Sequence, residues 1–465
     1  MGFRLYKTNV KESTIELINN NYYIDNSNFY TLLVGNNGTG KSTILSTIAR
    51  NYKDYFRDGK RMFFDVDGIN LPTKVIAATN SISDKFPIDD TFTNRYKYSN
   101  LKYSQLKYIY LGARNFSNSF SSRSLITKSL DIVIENYTMN KASEIYQHIF
   151  DYLDYEPILE IKYRLTRLIY DIKNDRESII KFIEEKLLPH NYNNRYINSE
   201  FLNYVKSNIN KIVSFLEVQR QRNSSLILNF SKKNLERILH DNSIYEKQLE
   251  MYSVIDMLRK LRIITGYEIF VYKKNGQNFN LIDASSGESC ILSMFLGLIP
   301  LLEDNSLVLI DEPEISLHPL WQTKYMELLT EIFSYYVGCH IIIATHSHFL
   351  VTNLPLSTSS VVVLSMNKDK IISHILEKST SGWSAEDILL NVFKVPSSRN
   401  YYLAQKVSKI LELIASMKGE TIECKKQFEE IMPFYNLLKD NDPLKEIILL
   451  IKKSISYDKE NKQSI

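Results

Sequence analysis

A chain of 465 residues has room for two or three domains, and 44% hydrophobic with 24% charged residues excludes a disordered or fibrous protein. Its 57 Lys and Arg against 53 Asp and Glu leave a net charge of +4, too small a surplus to argue nucleic-acid binding by itself. The three cysteines, Cys290, Cys339 and Cys424, lack metal-ligand spacing and fit a reducing cytosol; the start Met1–Lys7 lacks a signal-peptide core, and no apolar run approaches the roughly 20 residues of a membrane span, so a cytoplasmic protein is expected.

Residues 1–112 read as the first part of an α/β core. Phe29–Val34 is an apolar run that predicts a buried strand, and Thr43–Asn51 predicts a helix. Between them, Gly35-Asn36-Asn37-Gly38-Thr39-Gly40-Lys41-Ser42 matches the phosphate-loop pattern G-x-x-x-x-G-K-[ST] in full. Such glycines let consecutive backbone N–H groups turn toward phosphate oxygens, and the following helix adds its positive end, so Gly35 to Thr43 are candidate nucleotide ligands. Lys41 would meet the β- and γ-phosphates of ATP, and Ser42 would ligate Mg²⁺. A Gly-rich turn that fits by accident is the ordinary alternative; the strand before it and the helix after it argue otherwise. Lys74–Thr79 and Tyr108–Gly112 predict two further strands, and Gln105 precedes the second of them without a role.

Residues 113–262 predict a helical insertion or lid. Leu165, Leu168, Ile169 and Ile172 fall at helical spacing, and the stretch is too short and too weakly heptad for a coiled-coil arm. Arg220, Arg222, Lys232, Lys233 and Arg237 make it locally basic, which allows nucleic-acid contact, with a solvated helix face as the default.

Residues 263–380 predict the second part of the core. Asn275-Gly276 between Glu268–Tyr272 and Asn278–Ile282 is a hairpin signal, and Asn367–Lys370 predicts a second hairpin. Ser285-Ser286-Gly287-Glu288 precedes a helix expected over Ser289–Leu301; a Ser and Gly at a helix start suit an anion, and Ser with Glu three residues on also makes a capping box. Leu307–Ile310 reads as a buried parallel strand ending in Asp311, a candidate Mg²⁺ ligand, and Glu312, a candidate base for the attacking water. Glu314, His318 and Pro319 follow. A second apolar strand, His340–Ala344, leads to His346.

Residues 381–465 predict a helical tail. Val407, Ile410, Leu411 and Ile414 share one face, which suits packing on the core or docking of a partner.

In this order, the four motifs resemble those of ABC/SMC-type ATPases. The resemblance implies ATP closed between two subunits, with a homodimer or higher homo-oligomer as the active form. It also implies that Ser285, Ser286, Gly287 and Glu288 serve the γ-phosphate held by the other subunit, and that His346 acts as the γ-phosphate switch. More narrowly, Asp84-Lys85-Phe86-Pro87, Tyr110-Leu111-Gly112-Ala113-Arg114-Asn115 and Trp383–Leu389 resemble segments of the Septu ATPase subunit family, PtuA, and its relatives in retron systems. That likeness implies an ATPase in anti-phage defence that gates a separate HNH nuclease subunit, with nucleic acid reached through the complex. Two rivals share the motifs. One is a DNA-repair ATPase of the RecF type. The other is an overcoming-lysogenization-defect ATPase-nuclease, which needs an acidic metal site; Asp440-Asn441-Asp442 offers one, although Asp442-Pro443 reads better as the start of the last helix. A transporter ATPase subunit would usually be near half this length.

Overall fold

The computed structural model describes residues 2–18, 26–59, 71–81, 83–88, 106–114, 122–135, 142–173, 175–187, 199–219, 224–231, 242–368, 370–377, 379–384, 387–389, 392–393, 401–416, 422–435, 438 and 442–460. Gln105, Asn115, Ala385, Glu386, the basic residues Arg220, Arg222, Lys232, Lys233 and Arg237, and Asp440 with Asn441 lie outside them. The chain forms two compact units, Met1–Gly382 and Trp383–Ile465.

In the first unit the strands run β1 (Lys7–Val10), β2 (Ser13–Glu16), β3 (Phe29–Gly35), β4 (Val75–Thr79), β5 (Tyr108–Leu111), β6 (Tyr155–Leu165), β7 (Ser224–Asn229), β8 (Ile264–Lys273), β9 (Asn278–Asn280), β10 (Leu307–Asp311), β11 (His340–Thr345), β12 (Ser359–Asn367) and β13 (Lys370–Ile375). Seven of them form one sheet in the order β13-β12-β3-β11-β10-β4-β5, parallel except for β13. Every residue of β3, β4, β10 and β11 is buried, as expected of strands covered on both faces, and this is why their sequences are unbroken apolar runs. The register sets Asp311 of β10 beside Ala344 of β11 and Thr79 of β4. The C-terminal ends of the central strands therefore lie in one row, the usual place for a ligand in such a sheet. Helix α1 (Lys41–Asp58) follows β3 directly; it starts two residues earlier and runs seven residues further than its sequence pattern predicts.

A second, antiparallel sheet has the order β7-β6-β8-β9. It joins two strands from the stretch predicted as a helical insertion, β6 and β7, to the β8–β9 hairpin. The hairpin turns at Gly276, φ 85°, with the Lys273 N–H donating to the Gln277 carbonyl at 2.8 Å. Leu165 ends β6, and Leu168–Asp171 is a single helical turn, so the helical spacing there belongs to a corner rather than to a long helix. The helix Ser122–Glu135 lies against Ser286–Leu298, with the Ser129 hydroxyl donating to the Ser293 carbonyl at 2.6 Å.

The second unit holds the helices Tyr401–Ala415, Ile422–Tyr435 and Pro443–Glu460. Their apolar faces pack on one another: Leu403, Val407 and Ile410 join Cys424, Ile431, Ile448 and Ile451 in a common core. Asp442 starts the last helix, its carboxylate accepting the Leu444 N–H at 2.9 Å. Among the described residues, no helix is long and apolar enough to cross a membrane.

Candidate nucleotide site

The loop after β3 is tightly packed where it meets β12. A Cβ on Gly35, φ 153°, would sit 2.5 Å from the Leu364 carbonyl oxygen, so β12 and the loop can approach only if this residue is glycine. Gly40, φ 96°, is the left-handed entry to α1; it provides no side-chain cap, and the first turn of the helix holds no acidic residue. The first N–H groups of α1 thus point out of the helix without a side-chain cap from Gly40, where a phosphate would meet them and the positive end of the dipole.

Lys41 folds back over this loop. Its Nζ donates to the carbonyls of Gly35 at 2.8 Å and Asn36 at 3.2 Å, and lies 3.5 Å from Nδ1 of His346. Burial pushes its ammonium down to about 8, against the upward pull of Glu312, Glu314 and Asp311. Across the cleft, the Ser42 hydroxyl donates to Oδ1 of Asp311 at 3.0 Å. A hydroxyl and a carboxylate oxygen at this separation form a hard-oxygen pair that suits Mg²⁺. Burial raises the Asp311 carboxyl to about 7, the Ser42 hydrogen bond opposes the shift, and Glu312, Asp84 and Glu314 add to it. Such a crowd of carboxyl groups is the setting a divalent cation relieves.

Glu312 leaves β10 at φ 49°, a left-handed conformation that costs a non-glycine residue on the order of 1–3 kcal/mol. The turn is held by its N–H donating to the Ala344 carbonyl at 2.9 Å. Its carboxylate comes to 3.9 Å from Nε2 of His346, beyond hydrogen-bond reach. Burial and then the Lys41 charge lower the His346 pKa, which favours the uncharged ring. With Nδ1 facing the Lys41 ammonium, the tautomer with its proton on Nε2 follows. The His346 backbone N–H donates to Oε1 of Glu314 at 2.5 Å, so Glu314 fixes where the imidazole starts. Among the described residues the other oxygen of Glu314 is buried without a hydrogen-bond partner, and burial raises its carboxyl pKa.

Asn37, Gly38, Gly40, Lys41, Ser42, Thr43, Glu312 and His346 line one cleft of about 150 Å³. Gly35, Asn36 and Thr39 do not line it but brace the loop: the Thr39 hydroxyl donates to the Asn36 carbonyl at 2.8 Å, and the Gly35 and Asn36 carbonyls hold Lys41. Ser285, Ser286, Gly287 and Glu288 do not line this cleft. They open the helix Ser286–Leu298, three residues earlier than the sequence pattern predicts, as a complete capping box. Ser285 Oγ accepts the Glu288 N–H at 3.2 Å, and Glu288 accepts the Ser285 N–H at 2.9 Å. A Cβ on Gly287 would meet the Ser316 carbonyl at 2.9 Å and the Trp321 ring at 3.0 Å, so this glycine is also a packing requirement.

Two side chains at the cleft carry no sequence-based role: Glu314, described above, and Lys85, which lines the cleft beside Thr43. The signal for Glu314 was its closeness to Asp311 and Glu312. No spacing in the sequence pointed to Lys85.

Residues 115–352, more than half of the chain, match the family model described as AAA domain, putative AbiEii toxin, Type IV TA system. The chain belongs to this AAA family. The matched stretch contains the Ser285–Glu288 capping box, Asp311, Glu312 and His346, and begins after the phosphate loop. Among similar proteins, the Retron Ec83 probable ATPase of Escherichia coli is 22% identical over 92% of this chain and 83% of its own length. The Retron Vc95 probable ATPase of Vibrio cholerae serotype O1 biovar El Tor is 24% identical over 70% of this chain and 67% of its own. The Septu protein PtuA of Bacillus thuringiensis is 25% identical over 40% of this chain and 48% of its own. The family match and the phosphate loop on a mainly parallel sheet together make the chain an AAA-type ATPase.

Proposed function

We propose that the chain binds ATP with Mg²⁺ in this cleft, hydrolyses it between two copies of itself, and in that form governs a separate HNH-type nuclease subunit in anti-phage defence. The observation that carries the reading is a division of labour. Lys41, the Ser42–Asp311 pair, Glu312 and His346 converge on one cleft, while the exposed Ser285 and Ser286 stand at another helix start, away from it. An ATP site completed by a second copy needs both halves on each chain. The names of the similar retron ATPases and of Septu PtuA support the defence context, and the partner reading rests on the likeness to PtuA.

In this mechanism Lys41 and the first N–H groups of α1 bind the phosphates. Ser42 and Asp311 hold Mg²⁺, whose bound charge offsets that of the phosphates. Glu312 orients the attacking water and takes its proton, a role worth about 10²- to 10⁴-fold in rate. His346 presents its Nε2–H on the same side, set in place by Glu314. Either the tail, 381–465, or the insertion, 113–262, is the proposed landing surface for the nuclease subunit, which does the cutting.

The test is light scattering on Glu312→Gln with Mg²⁺ and ATP. We expect turnover to stop, nucleotide to stay bound, and the protein to become dimeric. A wild-type chain that hydrolyses ATP while remaining monomeric would rule out closure between copies. Incubated alone with plasmid and Mg²⁺ or Mn²⁺, the chain should leave DNA intact. Cleavage that survives Lys41→Ala but is lost in Asp440→Ala with Asp442→Ala would assign the nuclease to this chain instead.

A further inference from the structure

The segment that follows β4 carries a lysine into the nucleotide cleft on a rigid mount. Asp84 and Phe86 are buried, and Lys85 between them faces outward, where it lines the cleft with Thr43, Glu312 and His346. Its Nζ donates to Oγ1 of Thr43 at 3.1 Å, and among the described residues it forms no ion pair.

The backbone on both sides is tied down. The fully buried Asp84 carboxylate accepts two Arg114 N–H groups at 2.8 and 2.6 Å, the Phe86 N–H at 3.0 Å and the Tyr110 hydroxyl at 2.9 Å. The Tyr108 hydroxyl donates to the Pro87 carbonyl at 2.6 Å, and Lys53 donates to the Ile88 carbonyl at 2.7 Å. With the mount already ordered, a ligand has only the outer bonds of one lysine to immobilise.

The charge balance of the cleft calls for such a group. Three carboxyl groups, Asp311, Glu312 and Glu314, act on the single ammonium of Lys41. Lys41 is drawn toward Gly35 and Asn36, and so serves one side of the phosphate loop. Thr43 lies in the first turn of α1, and the cation that reaches it is Lys85.

We propose that Lys85 is a second phosphate-binding cation of this cleft, reaching a nucleoside di- or triphosphate from the Thr43 side. This rests on the reading that the cleft takes ATP. Lys85 contacts ligand, and Asp84 and Arg114 act through it as positioning residues.

The experiment is isothermal titration of ATP and ADP, with Mg²⁺, into wild type, Lys41→Ala, Lys85→Met and Lys85→Arg. Lys85→Met keeps the aliphatic stem and removes the charge. It should weaken both nucleotides about tenfold or more, as expected for the loss of a charge-assisted hydrogen bond. The loss should shrink as salt rises. The positive charge is kept in Lys85→Arg, although delocalised over a guanidinium, and this variant should bind within about threefold of wild type. The unfolding midpoint of ligand-free Lys85→Met should match wild type, because the side chain is exposed. If Lys85→Met binds as wild type does while Lys41→Ala does not bind, the assignment of Lys85 is overturned and the cleft remains the ATP site. If wild type binds no nucleotide, or Lys41→Ala binds as well as wild type, the reading of the cleft falls and Lys85 falls with it.

Discussion

Two helix starts in this chain look alike in sequence and differ in structure. α1 follows a Gly-rich loop, and the helix Ser286–Leu298 follows Ser285 and contains Gly287. Either could be read as an anion site. Yet α1 enters through a left-handed glycine, with no side-chain cap and no acidic residue in its first turn. The second helix is closed by its own residues: Ser285 and Glu288 satisfy each other's backbone N–H groups. The first helix start leaves its donors to a ligand. The second commits Ser285 and Glu288 to its own cap, so a phosphate arriving there would have to share Ser285 with Glu288, whose carboxylate also accepts the Ser285 hydroxyl at 2.7 Å. The comparison suggests that a helix N-terminus reports on ligands only once its caps are counted.

The largest effect should come at the open end. Lys41→Ala removes the ammonium that faces both the loop carbonyls and His346. Hydrogen bonds to charged groups are worth about 1.5–3 kcal/mol each, and several are lost at once, so nucleotide affinity should fall by about 100-fold or more. The fold should survive, because α1 and its cap do not depend on this side chain. Equilibrium dialysis with labelled ATP, run beside a urea melt, separates the two effects. An unchanged affinity would remove the contrast between the helix starts.

The open end was also the more legible one. Phosphate binding by consecutive backbone groups leaves a fixed local spacing, and Gly35 to Ser42 shows it in full. β10 and β11 were visible because a parallel strand buried on both faces has to be apolar throughout. His346 and Glu312 are strand-end residues, and the register of β10 and β11 brings them to the same cleft. What stayed hidden depends on contacts distant in sequence. Lys85 meets Thr43 across 42 residues, and Glu314 meets the His346 backbone across 32. In the stretch predicted as helical, β6 alternates buried and half-exposed residues, since its antiparallel sheet is covered on one face. Four apolar residues around Leu165–Ile172 are too few to separate one turn at a strand end from a helix. The apolar face at Val407 and Ile410 was visible as a pattern, but its partners, the two later helices of the same unit, were not.

A middle-sized effect tests what glycine does at the closed end. Gly287→Ala sets a methyl 2.9 Å from the Ser316 carbonyl and 3.0 Å from the Trp321 ring. Overpacking of this kind costs about 1–3 kcal/mol, so a urea midpoint should drop accordingly. Gly38→Ala makes the useful contrast. Nothing lies within 4 Å of its added methyl, and the cost there is the left-handed backbone alone, about 1 kcal/mol. If the two variants lose the same stability, the packing role of Gly287 is wrong.

The smallest effect on stability separates a cap from a phosphate ligand. Ser285→Ala removes an N-cap whose side chain accepts one N–H and donates to one carboxylate. Losing such a cap costs about 0.5–2 kcal/mol. A chain in which Ser285 is only a cap should show that loss and keep its ATP turnover. A chain in which Ser285 also meets the γ-phosphate of a second copy should lose turnover well beyond it, since a cap leaves the Lys41 cleft untouched. Mixing then decides between them. Lys41→Ala and Ser285→Ala subunits, each inactive alone, would regain at most one working site of two in a mixed pair, because one partner offers an intact cleft and the other an intact Ser285. Steady-state hydrolysis measured against mixing ratio reads this directly. Recovery at an intermediate ratio requires the closed helix start to act across the pair, and no recovery at any ratio confines Ser285 to its own chain.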